Sequence, residues 1–407
     1  MGSEMCIRDR FGLTVAPVPD ISGSLTVASN LSGIASSYSG NSYARTINFA
    51  GLTADEALNS VEVCLGTAAG SCDVSSWVEA TGYTTSGSAP SVSLGGSYKL
   101  KSGVGGAQTF TIYPSCSSTN NYYYSVRGTS ATSKLSNVVS TPAWTFWEPS
   151  CLGSTVLAQW LDVTETATMT FVSTAISQIN DKSGNGRNMT QATTNKRPAY
   201  SASSMGTNLP GITFNGTQSA ANGSSLTGTK FVYDLGASSI FTVMKAAAIN
   251  ANRYIYSEGN TGTTSNVSYS PFVTSTTNTI TSLQVNSGNV TEVNLPTTST
   301  TFFNNTIMLG MMEDSGTTFY SYTNGTSQSQ AKTNYTRAGS TLTTSRIGAR
   351  FRNNAETGWM AGVMGEFIVT NGVLSTLNRQ KLEGYAAHKW GVSANLPAAH
   401  PYKTTPP

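Results

Sequence analysis

The stretch Gly358–Gly391, GWMAGVMGEFIVTNGVLSTLNRQKLEGYAAHKWG, decides the fold. Trp359, Ala361, Val363, Phe367 and Val369 alternate with Met360, Met364 and Ile368. A strand built this way is apolar on both faces and needs cover on both sides. Asn371-Gly372 is a turn signal. Ser375 suits a helix N-cap, good helix formers follow as far as Trp390, and Gly391 suits the C′ stop. Leu377, Leu382, Tyr385, Ala386 and Trp390 fall on one side of that helix, which predicts docking by that side. Elsewhere the chain reads almost wholly as strands. The expected architecture is all-β, with a lone helix closing one end of a sandwich.

Upstream of this stretch, TKFVYDLGASSIFTVMKAAA, RYIYSEG, NNTIMLGMME, TTFYSYTNG and SRIGARF are the clearest strands. Gly325 and Gly348 stand where turns or close backbone approach are expected. The first part of the chain reads as short strands with turns every ten residues or so, beginning at Ile21. That spacing suggests an immunoglobulin-like sandwich. The run NYYYSVRGTS is expected to pair with KLSNVVSTPAWTF as a hairpin. Trp147–Cys151, WEPSC, is the joint, short and Pro-containing. The expected organisation is a leader over 1–20, a first sandwich over 21–149, a second over 150–394 and a Pro-rich tail over 395–407.

Composition narrows the class. Of 407 residues, 11% are charged, against about 25% in an average soluble protein. Hydrophobic residues make up 38%, enough to build cores rather than a disordered chain. A net charge of +3 with no dense Lys/Arg run gives no support to nucleic-acid binding. No segment is long and apolar enough for an integral membrane span. The opening MGSEMCIRDRFG lacks the apolar core of a signal peptide. It resembles translated adaptor sequence, which would place the true start and any export signal outside this chain; a genuine polar leader is the other reading.

Cys6 belongs to that leader, whereas Cys64, Cys72, Cys116 and Cys151 fall in the first sandwich and the joint. Cys64 and Cys72 flank one loop, so a bridge would pin a hairpin. Cys116 precedes one strand and Cys151 follows the next, which puts both at the same pole of an antiparallel pair. Of the three pairings open to four cysteines, this selects Cys64–Cys72 and Cys116–Cys151. Two bridges imply an oxidising compartment. The alternatives are a zinc site, for which the paired CxxC spacing is missing, and free buried thiols in a cytosolic protein.

The run GEFIVTNGVLSTLNRQKLEGYAAHKWG, with NLPAAHPYKTTPP after it, resembles the C-terminal part of concanavalin A-like (laminin-G-like) jelly-roll domains. The resemblance continues upstream through LAQWLD (Leu157–Asp162), INDKSGNGRNMTQATTNKRPAY (Ile179–Tyr200) and LPGITFNGT (Leu209–Thr217), and covers roughly Thr155 to the C-terminus. In the first part, VCLGTAAGSCDVSSW, YYYSVRG and KLSNVVSTPAWTF resemble fibronectin type III-like modules of bacterial surface proteins. The combination implies an immunoglobulin/fibronectin-like β-sandwich followed by a concanavalin A-like jelly roll with one C-terminal helix. Such modules act as spacers, and jelly rolls of this kind occur on exported bacterial surface proteins and in phage particles.

The jelly-roll superfamily includes glucanases, which work through paired carboxylates. Retaining glycosidases need two of them about 5–5.5 Å apart, and glucanases of this fold carry them as ExDxE or ExDxxE on one strand face. Neither pattern occurs. Glu313 and Asp314 are adjacent, so in a strand they face opposite ways. Glu366 stands alone on an apolar strand, where bonding to backbone or to the closing helix is the first expectation and catalysis the second. His388 and His400 are the two histidines, both within the family motif, and no nucleophile elbow, phosphate loop or dinucleotide fingerprint is present.

Carbohydrate binders bond hydroxyls with Asn, Asp and Arg and stack sugars on aromatics. Two loops offer those residues: Asp181, Asn185, Arg187 and Asn188 in DKSGNGRN, and Arg352, Asn353, Asn354, Glu356 and Trp359 in RFRNNAETGW. Asp181 and Asn185 are candidate calcium ligands, as on laminin-G-like domains, though DKSGNG also reads as a turn in which Asp and Asn tie down their own backbone. The expected function is a non-catalytic extracellular or cell-surface adhesion protein that binds glycan or a surface polymer. A phage virion component is the alternative, and a glycoside hydrolase a third.

Overall fold

The structure, a computed structural model, describes residues 21–22, 26–27, 46–48, 52–54, 58–73, 75–79, 83–86, 92–99, 122–130 and 135–140, and then 147–207, 209–246, 253–261, 268–274, 279–286, 289–296, 306–331 and 341–407. These fall into two units, the first ending before Trp147 and the second running from Trp147 to Pro407. Both are antiparallel β structures, and the protein is an all-β sandwich with a single C-terminal α-helix among the described residues.

In the first unit one sheet runs Val139–Ser140, Tyr123–Ser130, Leu58–Gly66, Ser75–Glu79. Val61, Val63 and Leu65 are buried on the Leu58–Gly66 strand, and Tyr122, Tyr124 and Val126 on its partner. The expected pairing of NYYYSVRGTS with KLSNVVS is present, with Val139 opposite Val126. A second sheet is built around Val92–Lys99, which pairs with Leu52–Ala54, Thr46–Asn48 and Tyr83–Ser86. The Cys64–Cys72 bridge closes the turn after Leu58–Gly66, with Cα atoms 5.4 Å apart. Within that turn Asp73 accepts hydrogen bonds from Ser71 and Thr67, which hold its carboxyl well below the usual range.

The second unit is organised by the strand Ala361–Asn371. Ser238–Ala246 pairs along its whole length on one side. On the other side Leu157–Asp162 pairs with 366–370 and Leu209–Asn215 with 361–364. Beyond Ser238–Ala246 the ladder continues through Met308–Asp314, Thr318–Thr323 and Thr326–Ala331. A second series runs Met189–Thr190, Leu226–Thr229, Thr344–Ile347, Arg253–Gly259, Ser268–Thr274, Thr279–Asn286, Asn289–Pro296. Ala175–Ile179 joins the two, pairing with Met189–Thr190 and, at Ala175, with Ala199–Gly206. The inward faces of both series share one core that includes Phe214, Phe241, Tyr256, Phe272, Phe367 and Ile368. Gly348 shows the close approach expected there: at φ +87°, an added Cβ would lie 2.4 Å from the Phe214 ring.

The helix spans Thr376–Lys389, with the Ser375 hydroxyl capping Asn378 N–H at 3.3 Å and Gly391 at φ +68° ending it. Trp390 lies on Gly365 so tightly that a β-carbon there would come within 2.5 Å of the ring. One expectation needs correcting. Leu377, assigned to the docked side, is 55% exposed, while Leu382, Tyr385, Ala386 and Trp390 are buried as expected. The helix is buried on a second side too, because the tail packs against it. Tyr402 lies on Gly384, His400 Nε2 bonds Glu383 at 3.1 Å, and the Tyr402 carbonyl meets His388 Nε2 at 2.9 Å. The helix is therefore a middle layer between sandwich and tail.

Candidate functional site

The DKSGNGRN loop is held by a β-bulge. The pairing of Leu157–Asp162 with the central strand slips between Leu157 and Gln159, which takes Ala158 out of the ladder. The Ala158 carbonyl then accepts hydrogen bonds from Ser183 Oγ (3.1 Å), Asn185 Nδ2 (3.1 Å) and Arg187 Nη1 (2.5 Å). Asp181 completes the loop: one oxygen accepts the Trp160 and Ser183 N–H groups, the other the Ser183 hydroxyl and the Arg187 N–H. Asn188 Oδ1 accepts the Asp181 N–H at 2.8 Å. Gly184 and Gly186 supply the positive φ angles the turn requires.

These bonds bear on how well the loop suits calcium. Both Asp181 oxygens already face hydrogen-bond donors, and Asn185 turns its amide N–H toward the Leu157 and Ala158 carbonyls. A cation needs several oxygens free of donors. Among the described residues no three His, Cys, Asp or Glu side chains gather as a metal site. The loop's donor set does not fit calcium.

Beside the loop lies a cleft of about 150 Å³, lined by Gln159, Arg187, Asn188, Met189, Lys230 and Phe231 among others. Gln159 is fully buried; its Nε2 donates to the Arg187 carbonyl, which leaves Oε1 as the second amide atom, and that oxygen has no hydrogen-bond partner. The opposite wall is set by Glu258. Its buried carboxylate accepts the N–H groups of Phe231 (2.7 Å), Val232 (2.7 Å) and Tyr233 (2.8 Å) and the Tyr256 hydroxyl (2.8 Å). Burial pushes the Glu258 carboxyl up, against those donors. The Arg187 guanidinium lies 4.4 Å over the Phe231 ring, and Lys230 pairs with Asp234 at 2.6 Å. Arg187 and Asn188 are thus candidates that line a cleft. Gln159, Met189, Lys230 and Phe231 belong to no motif that marks them in the sequence. The one available signal was Gln159, a polar residue in the otherwise apolar strand LAQWL, where burial demands a partner.

The second loop is differently employed. Arg350–Arg352 and Ala355–Thr357 form a hairpin whose turn residues, Asn353 and Asn354, both have positive φ. Glu356 is buried and accepts from Arg346 Nε (2.7 Å), Lys196 Nζ (2.9 Å) and Ser225 Oγ (3.0 Å), a set that holds its carboxyl below the usual range although burial opposes this. Trp359 is 4% exposed and lies against Gly223, so its ring offers no open face for a sugar. Arg352 remains half-buried on the hairpin.

Glu366 lies at the centre of a separate, closed cluster. It accepts Trp160 Nε1 (2.7 Å), Tyr385 Oη (2.9 Å) and Trp390 Nε1 (3.0 Å). Asp162 stands opposite it in the strand register. Lys389 Nζ lies 2.9 Å from Asp162 Oδ2, 3.4 Å from Glu366 Oε2 and 3.0 Å from Tyr385 Oη. Lys182, from the DKSGNGRN loop, reaches Asp162 and Glu165 and lies 3.7 Å over the Trp160 ring. Burial pushes the Glu366 carboxyl up despite Lys389. Burial would do the same to Asp162, but Lys182, Lys389 and Thr164 outweigh it and hold that carboxyl well below the usual range. Glu313 and Asp314, the other acidic pair, have separate partners, Ser239 and Tyr269.

Cys64–Cys72 is formed as expected. Cys151 is also disulfide-bonded, and Cys116 lies outside the described residues. Among the described residues no helix is long and apolar enough to cross a membrane.

No protein-family model and no curated protein matches the chain. Among solved structures it is similar to the carbohydrate-binding module CBM40 of the Ruminococcus gnavus IT-sialidase, with 14% identity over 41% of this chain and 93% of that one, at a TM-score of 0.34. A structure of botulinum neurotoxin type C, titled for its interaction with two ganglioside molecules, overlaps with 9% identity over 56% of this chain and 51% of that one, at 0.40. The NanB sialidase of Streptococcus pneumoniae overlaps with 13% identity over 42% of this chain and 26% of that one, at 0.33. The chain thus spans about half of the toxin chain and about a quarter of the sialidase. All three scores are below 0.5; the fold rests on this chain's own strand pairings.

Proposed function

We propose that the second unit is a concanavalin A-like, laminin-G-like domain that binds glycan without altering it, in the cleft beside the DKSGNGRN loop. The first unit, fibronectin-like, serves as a spacer, and the protein works outside the cell or on its surface. The observation that carries this reading is the Gln159 amide. Its oxygen is buried and without a partner in a residue that lines the cleft, and a buried acceptor left unpaired costs about 1–3 kcal/mol. A hydroxyl or amide N–H of a sugar would relieve that cost. Arg187, Asn188 and Lys230 add donors at the rim, and Phe231 and Met189 add apolar wall, the mixture that small polar ligands need. The Cys64–Cys72 bridge supports an oxidising compartment. Against hydrolysis stands the burial of Glu366 and Asp162, at 0% and 1% exposure, beneath the helix. Neither carboxylate lines the cleft, whereas Gln159 does.

The test is a glycan array with the full chain and with Gln159→Leu and Arg187→Ala. Binding that both substitutions abolish, with no product released from bound glycans, is the expected result. Binding unaffected by either would sink the assignment of the cleft, and turnover would sink the non-catalytic reading.

A further inference from the structure

We infer that Lys389 and Asp162 become joined by an intramolecular amide bond, formed by the folded protein itself with Glu366 as proton carrier. The two groups are already in contact. The amine nitrogen lies 2.9 Å from Asp162 Oδ2, which holds it beside the carboxyl carbon it would attack, and fixing two reactants together in this way lowers the entropic part of the barrier. The reacting groups are shielded from solvent, with side-chain exposures of 1% for Lys389, 2% for Asp162 and 0% for Glu366. Trp160, Tyr385 and Trp390 wall them in. A sealed site favours loss of water and opposes the reverse hydrolysis.

Each polar neighbour has a place in the reaction. Asp162 Oδ1 accepts the Thr164 N–H at 3.0 Å and the Thr164 hydroxyl at 2.6 Å, donors aimed at the oxygen that carries charge once the nitrogen adds to Cγ. Asp162 Oδ2, bonded to Lys182 Nζ at 3.0 Å, is the oxygen that leaves. Glu366 Oε2, 3.4 Å from Lys389 Nζ, takes a proton from the nitrogen and returns it to the leaving oxygen. The step balances. The Lys389 ammonium and the Asp162 carboxylate give one amide and one water. The C–N bond forms and the C–Oδ2 bond breaks. Of the three ammonium protons one stays on the amide nitrogen, one crosses the existing hydrogen bond to Oδ2, and one travels through Glu366. Nothing is oxidised or reduced. The reactive tautomer, neutral amine beside neutral acid, is the minor one because Lys182 favours the carboxylate. An irreversible product drains even a minor form. The outcome removes two buried charges whose desolvation is costly and ties the first strand of the second unit to its closing helix.

The decisive measurement is the intact mass of the full chain, reduced and denatured, followed by peptide mapping. The expected result is a mass one water below that of the sequence and a branched peptide joining Asp162 to Lys389. Lys389→Arg keeps the positive charge but lacks the primary amine, and Glu366→Gln keeps the shape but not the proton carrier; both are expected at full mass. The wild-type chain at full mass would overturn the proposal and leave an ordinary buried ion pair. A branch at Lys182 instead of Lys389 would overturn the assignment equally. Should Glu366→Gln fail to fold, the wild-type mass and the Lys389→Arg mass still decide.

Discussion

Asp162 and Glu366 stand directly opposite each other across the pair formed by Leu157–Asp162 and Ala361–Asn371, and the Lys389 ammonium reaches both. Directly opposed residues of an antiparallel pair share a face. Two carboxylates from distant parts of the chain therefore lie side by side in a core. One lysine from the helix and one from the DKSGNGRN loop neutralise them. The helix and the candidate binding loop are fastened to the same aspartate.

Trp390→Ala should destabilise the second unit by about 3–5 kcal/mol, the usual cost of truncating a buried tryptophan. Its ring fills the space over Gly365 and its N–H serves Glu366. Urea unfolding followed by fluorescence of the remaining tryptophans measures this. A midpoint equal to wild type would mean that the helix is not docked as described.

Glu366 should make stability fall as pH rises. Its folded pKa lies above the unfolded value of 4.5, so its contribution is complete below that value and is lost as pH rises through the folded pKa. As a free carboxylate, the form present where no amide joins it to Lys389, Asp162 works in the opposite sense: its folded pKa is depressed, so its contribution is present above the unfolded value of about 3.9 and is lost on acidification. Glu366→Gln cannot titrate. Compared in a Lys389→Arg background, where neither protein can form the amide, its stability relative to the Glu366 protein should improve steadily from about pH 4.5 upward. Parallel curves for the two proteins would refute the assignment.

Calcium should leave the second unit unchanged. The Asp181 oxygens are committed to Trp160, Ser183 and Arg187. Thermal melts in excess calcium and in EDTA are expected to superimpose. A reproducible upward shift with calcium would mean that a cation replaces those donors.

Cys64→Ser should cost the first unit about 2–3 kcal/mol, the loss expected from opening so short a loop. Non-reducing peptide maps of the wild type should contain the Cys64–Cys72 link, and its absence would remove the main support for an oxidising compartment.

Ending the chain after Asn395 should weaken the helix although the helix itself is intact. Leu396 is 2% exposed, and burial of such a side chain contributes about 1.5–3 kcal/mol. His400 and Tyr402 go with it, exposing Glu383, Gly384 and His388. Hydrogen exchange across 376–389 should rise in the shortened chain. Unchanged protection would show the tail to be a passive covering.

Local pattern determined a good part of this protein. Alternation in Gly358–Asn371 required a strand covered on both faces, and Ser375 and Gly391 marked the helix ends because capping needs only side chains adjacent in sequence. The Cys64–Cys72 bridge was legible for the same reason, as was the self-tied turn at DKSGNG. Tertiary structure decided the rest. Leu377, placed with Leu382 on the docked side, is exposed, because five residues on an α-helix turn it about 140° away from Leu382. The tail gave no periodicity to read, because its buried contacts are with a helix already formed. Trp359 and Glu356 look like ligand residues in a list of polar and aromatic side chains, but packing turned them inward. The cleft draws Gln159, Arg187 and Lys230 from three separate segments. The Asp162–Glu366–Lys389 cluster likewise depends on strand register, which sets residues far apart in sequence within hydrogen-bonding distance and which no single stretch of sequence contains.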